Sequence, residues 1–131
     1  MIVVFDTNIL VSALVFPGGQ ADLALLRIIE GNDQLLISKP ILDELLTVLA
    51  RKFDRNREQL ARVAVWLAEL ATWVQPSTTL TVLADEADNR ILECAVAGKA
   101  SLIVTGDKGL LALRSFEDIP VISLREYLSQ R

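Results

Sequence analysis

Short apolar runs and helix-like segments alternate along the whole chain, and that alternation restricts it to one broad architecture. Residues 2–5, 35–37, 73–75, 102–104 and 121–122 read as strands, being brief, apolar and bounded by turn-forming residues. Residues 8–15, 21–30, 38–51, 56–72, 88–97, 108–113 and 124–129 read as helices. Continuous apolar runs of this length suit strands covered on both faces. The expected fold is α/β: a mostly parallel five-stranded sheet with helices on both faces and right-handed crossovers. At 131 residues the chain is expected to form a single domain over residues 1–131.

Local punctuation fits this order. Pro17-Gly18-Gly19 breaks the first helix and reads as a turn, because it lacks any phosphate-loop spacing. Gly31-Asn32-Asp33 stops the second, whose apolar residues at 21, 23–26, 28 and 29 form too wide a stripe for a surface helix. Ser38 can cap the third, with Pro40 in its first turn. Residues 76–84 read as loop, and Gly98 is placed to end the helix over 88–97.

Acidic residues occupy the positions where such a sheet gathers its ligands. Asp6 follows the first strand and Asp107 follows the fourth. In an open parallel sheet the carboxyl ends of the strands form the binding crevice. Asp88 opens a helix and shares one face with Ile91, Leu92 and Ala95, at the rim of the core, whereas Glu93 points the opposite way. Asp85 lies one turn earlier on a similar side and is a candidate supporting or fifth ligand. On the helix over 38–51, Asp43 and Glu44 both fall just outside the apolar arc, and periodicity does not choose between them. Each aspartate alone also reads as an ordinary helix N-cap. Gathered carboxylates repel: a pair about 4 Å apart costs roughly 4 kcal/mol at an effective dielectric of about 20. Such a cluster must share protons or hold a hard cation.

Composition narrows the chemistry. The sequence has no histidine, which removes Ser-His-Asp and Cys-His triads and histidine as acid, base or metal ligand. Its one cysteine, Cys94, rules out an intrachain disulfide and a multi-cysteine zinc site, and reads as packing. The formal net charge is −4, from 13 basic and 17 acidic residues. Setting Asp6, Glu44, Asp88 and Asp107 aside leaves 13 acids against 13 bases. An acidic chain needs local basic patches or bound metal to hold nucleic acid. No apolar run reaches the roughly 18 residues that argue for a membrane span, so a cytoplasmic location is expected.

Asp6-Thr7-Asn8, the helix start from Ser38 to Glu44, Asp85-Glu86-Ala87-Asp88-Asn89 and Thr105-Gly106-Asp107 occur in this order. Together they resemble the PIN-domain family of metal-dependent ribonucleases, and within it the toxins of type II toxin–antitoxin pairs. The resemblance covers nearly the whole chain. It selects Glu44 over Asp43 and implies that Asp6, Glu44, Asp88 and Asp107 surround one or two Mg²⁺ or Mn²⁺ ions. Asp6 and Asp107 are then the leading metal ligands, Asp88 a further one, and Glu44 a residue that holds or orients water. Thr7, Asn8 and Thr105 match supporting positions. It also implies strand order 3-2-1-4-5, which sets the first and fourth strands side by side. The implied activity is hydrolysis of RNA phosphodiesters, with RNA as substrate, a small antitoxin protein as partner and a homodimer as the assembly.

Arg51, Lys52, Arg55 and Arg57 form the densest basic stretch. They are candidate contacts for an RNA backbone, as are Lys39, Arg90 and Lys108, which adjoin the acidic motifs. A solvated helix end is the plain alternative. Trp66 and Trp73 read as packing residues, with base stacking the minor alternative. Two other functions compete with the nuclease. One is a receiver-type or other metal-dependent phosphoryl-transfer module, although receivers place two acids together after the first strand. The other is a non-catalytic PIN-like binding domain, which loss of site acids would favour, and none is missing.

Overall fold

A computed structural model of the chain describes residues 1–130. The elements run β1 (Ile2–Phe5), α1 (Thr7–Val15), α2 (Gln20–Ile29), β2 (Gln34–Ile37), α3 (Lys39–Lys52), α4 (Arg57–Leu70), β3 (Thr72–Trp73), α5 (Glu86–Ala97), β4 (Leu102–Val104), α6 (Lys108–Leu113), β5 (Ser115–Phe116), β6 (Ile119–Ile122) and α7 (Leu124–Ser129). The strands form one sheet in the order β3-β2-β1-β4-β6-β5. The first five in that order are parallel, in the sequence expected for five strands. β5 is an addition: it pairs antiparallel with β6 through Glu117 and Asp118. Both turn residues have positive φ, 48° and 66°, as a tight hairpin requires. No glycine or asparagine marks that turn, so the sequence concealed it.

β1 lies at the centre of the sheet. Val3 and Val4 point to opposite faces, and both are fully buried, so the sheet is covered on both sides. Phe5 pairs in register with Val104 of β4, which brings the ends of these two strands level. β3 is shorter and earlier than expected, because Leu36 and Ile37 of β2 pair with Thr72 and Trp73. α4 therefore ends at Leu70; it begins with a reciprocal capping box between Asn56 and Gln59.

Three local expectations change. Ser38 stands at the N-cap of α3 but makes no side-chain capping bond; its hydroxyl is buried against Cys94. Gly98 does end α5, yet for a packing reason. Its φ is −94°, and a Cβ there would run into Leu36 Cδ1 and stand 3.0 Å from Val74 Cγ1. The left-handed residue is Lys99, at φ 54°. The wide stripe of α2 is only partly used: Ala21, Ala24, Leu25 and Ile28 are buried, while Leu23, Leu26 and Ile29 are 50%, 42% and 50% exposed.

The far end of the chain is fastened to α2. Arg27 donates to the carbonyls of Tyr127 (2.8 Å), Leu128 (2.7 Å) and Gln130 (2.7 Å), satisfying the end of α7. The Tyr127 ring meets Phe5 edge-on at 5.6 Å, and its hydroxyl donates to Asp33 at 2.5 Å. No single helix among the described residues is long and apolar enough to cross a membrane; the apolar pair α1 and α2 is bent by 96°.

Candidate metal centre at the strand ends

The site begins with two adjacent strand ends. The Asp6 amide donates to the Val104 carbonyl at 2.9 Å, extending the pairing of β1 with β4 by one residue. Thr105, the residue after β4, is fully buried. Its hydroxyl donates to Asp6 Oδ2 at 2.6 Å and accepts the Asp107 amide at 2.9 Å. Asp6 Oδ1 accepts from the Asn8 amide at 3.2 Å, capping α1, and Asp107 Oδ2 accepts from the Leu110 amide at 2.9 Å, capping α6. The N-cap reading of both aspartates is therefore true, and it leaves their carboxylates beside one another.

α5 and α3 bring further carboxylates to this point. Asp88 is 7% exposed, with the charge of Asp107 close by. Burial, followed by the charges of Asp107 and Asp85, pushes its pKa up to about 7. Burial likewise raises Asp6 above the ordinary carboxylate value. Hydrogen bonds from Thr105 and Asn8 oppose that rise, and the charges of Asp107 and Asp85 add to it. Glu44 is half-buried and raised first by burial, then by Asp6 and Asp85. The Thr7 hydroxyl favours its charged form, but Thr7 Oγ1 is buried without a well-formed hydrogen bond. Asp85 caps α5 through the Ala87 amide at 2.9 Å. Asp85 is exposed one turn before Asp88, and its charge adds to the rise of Asp6, Glu44 and Asp88, so it stands beside the other acids.

The donor set is five carboxylates and two threonine hydroxyls, with no nitrogen or sulfur ligand. That chemistry fits a hard cation such as Mg²⁺ or Mn²⁺. Among the described residues no three acids converge to the spacing one ion would impose, so the ring is open. The raised proton affinity of buried Asp88 and the unpartnered Thr7 hydroxyl mark where positive charge is wanted.

The remaining candidates are scattered. Asn8 contributes its amide to Asp6. Lys39 pairs with Asp43 at 2.8 Å on the exposed side of α3. Lys108 is exposed beside Asp107. Arg51 and Lys52 are exposed at the end of α3, seven residues or about 10 Å along the helix from Glu44. Arg57 is exposed at the start of α4, and half-buried Arg55 lines a groove with Leu14, Leu49, Gln59, Arg62 and Val63. Arg90 is engaged elsewhere: it pairs with Glu93 at 2.9 Å and donates to the Leu80 carbonyl at 3.0 Å. Glu93 does not face solvent as its helical position suggested. It is 7% exposed, because the loop 76–84 covers that side of α5. Motif reading gave Asn89 and Glu93 no role of their own. Their signal was an irregular loop whose amides need partners, next to polar residues four apart on one helix.

The family model for the PIN domain matches residues 2–109. The "Uncharacterized protein MJ1680" of Methanocaldococcus jannaschii is 34% identical over 116 residues, covering 86% of this chain and 74% of that protein. Among solved structures, the fold is shared with VapBC2 from Rickettsia felis bound to a DNA fragment from their promoter. The TM-score is 0.68 at 19% identity, over 94% of this chain and 98% of that one. FitAcB from Neisseria gonorrhoeae gives a TM-score of 0.57 at 17% identity, over the same shares. Because the matched span contains every acid of the ring, and the fold is shared along nearly the whole chain, this protein belongs to the PIN domain family.

Proposed function

We propose that the protein is a Mg²⁺- or Mn²⁺-dependent endoribonuclease that hydrolyses RNA phosphodiesters. The observation that carries this reading is the ring of five carboxylates at the ends of β1 and β4, of which Asp6, Glu44 and Asp88 have raised proton affinities. Asp6, Asp88 and Asp107 would hold the cation, with Asp85 beside them. A hard cation so held supplies Lewis acidity toward the phosphate and the attacking water. The chain's own part follows from its geometry. Thr105 fixes Asp6 toward the ring. Glu44, next to the Thr7 hydroxyl, accepts the proton that water loses as its oxygen bonds to phosphorus. The P–O bond to the leaving oxygen then breaks, and that oxygen takes a proton from solvent. Without histidine, carboxylates must carry this traffic.

Arg51, Lys52, Arg55 and Arg57 would hold the RNA backbone beyond Glu44, with Lys39 and Lys108 nearer the ring. The resemblance to toxins of type II pairs supports action in the cytoplasm and neutralisation by a small antitoxin. The unpartnered aliphatic row Leu23, Leu26 and Ile29 supports a homodimer. The purified protein should cut RNA with Mg²⁺ or Mn²⁺ and stop in EDTA; equal cleavage in EDTA would refute the metal-dependent mechanism. Expression should arrest growth, and co-expression of a small adjoining gene should relieve the arrest.

A further inference from the structure

The segment just before α5 has no regular structure, yet side chains of that helix hold its backbone at Leu80, Val82 and Leu83. Asn89 is completely buried. Its Oδ1 accepts the amides of Val82 (3.1 Å) and Leu83 (2.8 Å), and its Nδ2 donates to the Leu83 carbonyl at 2.8 Å. One turn further on, Glu93 Oε2 accepts the Leu80 amide at 2.7 Å, and Arg90 Nη2 donates to the Leu80 carbonyl at 3.0 Å. The Arg90–Glu93 pair at 2.9 Å closes the set. Asn89 thus stands in for a missing strand, offering an acceptor and a donor where a neighbouring backbone would. Two residues after Leu83 comes Asp85, the N-cap of α5 one turn before Asp88.

We propose that Asn89, braced by Glu93 and Arg90, is a positioning residue that holds the segment 80–83 against α5 and so fixes Asp85 in the carboxylate ring. This rests on the metal-dependent reading above and adds to it the device that keeps the ring in shape. The three bonds require an amide. An aspartate could accept twice but would oppose the Leu83 carbonyl and add a charge next to Asp88; an alanine would leave three part-buried backbone groups without these partners. Residues that orient ligands from behind typically change metal affinity by about 10- to 100-fold when removed.

The test is direct titration of Mn²⁺ into the protein by calorimetry, without RNA, alongside amide hydrogen exchange. Asn89→Ala should weaken Mn²⁺ binding by about tenfold or more, and the amides of Leu80, Val82 and Leu83 should lose protection. Ile28→Ala is the control for stability loss alone. It removes a buried side chain beside Met1 and Gln34, at the opposite end of the sheet. Its Mn²⁺ affinity should match the parent. Glu93→Gln keeps an acceptor for Leu80 but discharges the Arg90 pair, so it should shift affinity in the same direction by less; it serves where Asn89→Ala does not fold. A parent that binds Mn²⁺ while Asn89→Ala, or Glu93→Gln in its place, binds it equally well overturns the positioning role alone. A parent that binds no Mn²⁺ overturns the metal-dependent reading, and the positioning role with it.

Discussion

The Thr105 hydroxyl donates to Asp6 at 2.6 Å, so a side chain after β4 sets the orientation of the acid that ends β1. The same oxygen accepts the Asp107 amide. One buried atom therefore links the two strand-end aspartates. Thr105→Val keeps the shape and removes that atom, leaving Asp6 Oδ2 and a backbone amide without partners. It should destabilise the protein by about 1–3 kcal/mol in urea unfolding and weaken Mn²⁺ binding. Thr105→Ser should restore most of both.

Asp88 gives a pH signature to the metal-free protein. Its pKa is about 7 when folded and 3.8 ordinarily. Between those values the folded state holds a proton that the unfolded chain has released. The associated stability is full below pH 3.8 and is lost as pH rises toward 7. The raised Asp6 and Glu44 act in the same direction. Asp33 is lowered, despite some burial, by bonds from Tyr127 and the N-terminal amine; its contribution is lost as pH falls below 3.8, outside this window. Urea midpoints in EDTA should fall from pH 4 to pH 7, and Asp88→Asn should flatten the decline. A parent curve that rises with pH over this range would contradict the raised Asp88.

Mg²⁺ should reverse that strain. At about a hundredfold over its dissociation constant, a ligand specific to the folded state adds about 2.7 kcal/mol. The parent should gain stability of this order in Mg²⁺ melts. Asp107→Asn keeps a side-chain oxygen for the Leu110 amide and removes one charge from the ring. It should melt no lower than the parent in EDTA, gain less from Mg²⁺, and fail to cleave RNA. Normal cleavage would remove Asp107 from the site.

The basic stretch should be visible in salt dependence. If Arg51 and Lys52 each neutralise one phosphate, replacing both by alanine should reduce the slope of log affinity against log salt by about 1.4 for single-stranded RNA. Filter binding to Asp107→Asn protein avoids cleavage during the measurement. An unchanged slope would return these side chains to the role of favourable charges at the end of α3.

Arg27→Met tests the tether at the other end of the chain. It keeps an aliphatic stem but removes three charge-assisted bonds to Tyr127, Leu128 and Gln130. A loss of at least about 1.5–3 kcal/mol is expected in denaturant melts. Cleavage well below the melting temperature should be unchanged, since Arg27 acts on α7.

The parallel sheet was legible because each of its strands is apolar and each crossover helical, a pattern written locally in residues 2–5, 35–37 and 102–104. Asp6 and Asp107 were legible for the same reason: a strand end followed by a helix start has one place to put an acid. What escaped was set by tertiary contact. The Glu117-Asp118 turn adopts left-handed backbone without a glycine to signal it. Glu93 lies on the polar side of its own helix and is buried only because the loop leading into α5 folds back over it. Asp43 and Glu44 are equivalent by periodicity. The fold separates them, turning Glu44 toward Asp6 and leaving Asp43 with Lys39.

Asp6, Asp85 and Asp107 each start a helix by bonding its first free amides. Local folding and the chemistry of the ring thus draw on the same three atoms' worth of side chain. Asparagine and serine can still accept those amides, whereas alanine cannot. A lineage that lost the proposed nuclease activity would therefore not be free to drift at these positions. Its descendants should carry asparagine or serine at 6, 85 and 107, and the loss of charge there, with the cap retained, would be the mark of a protein that kept its shape without that activity.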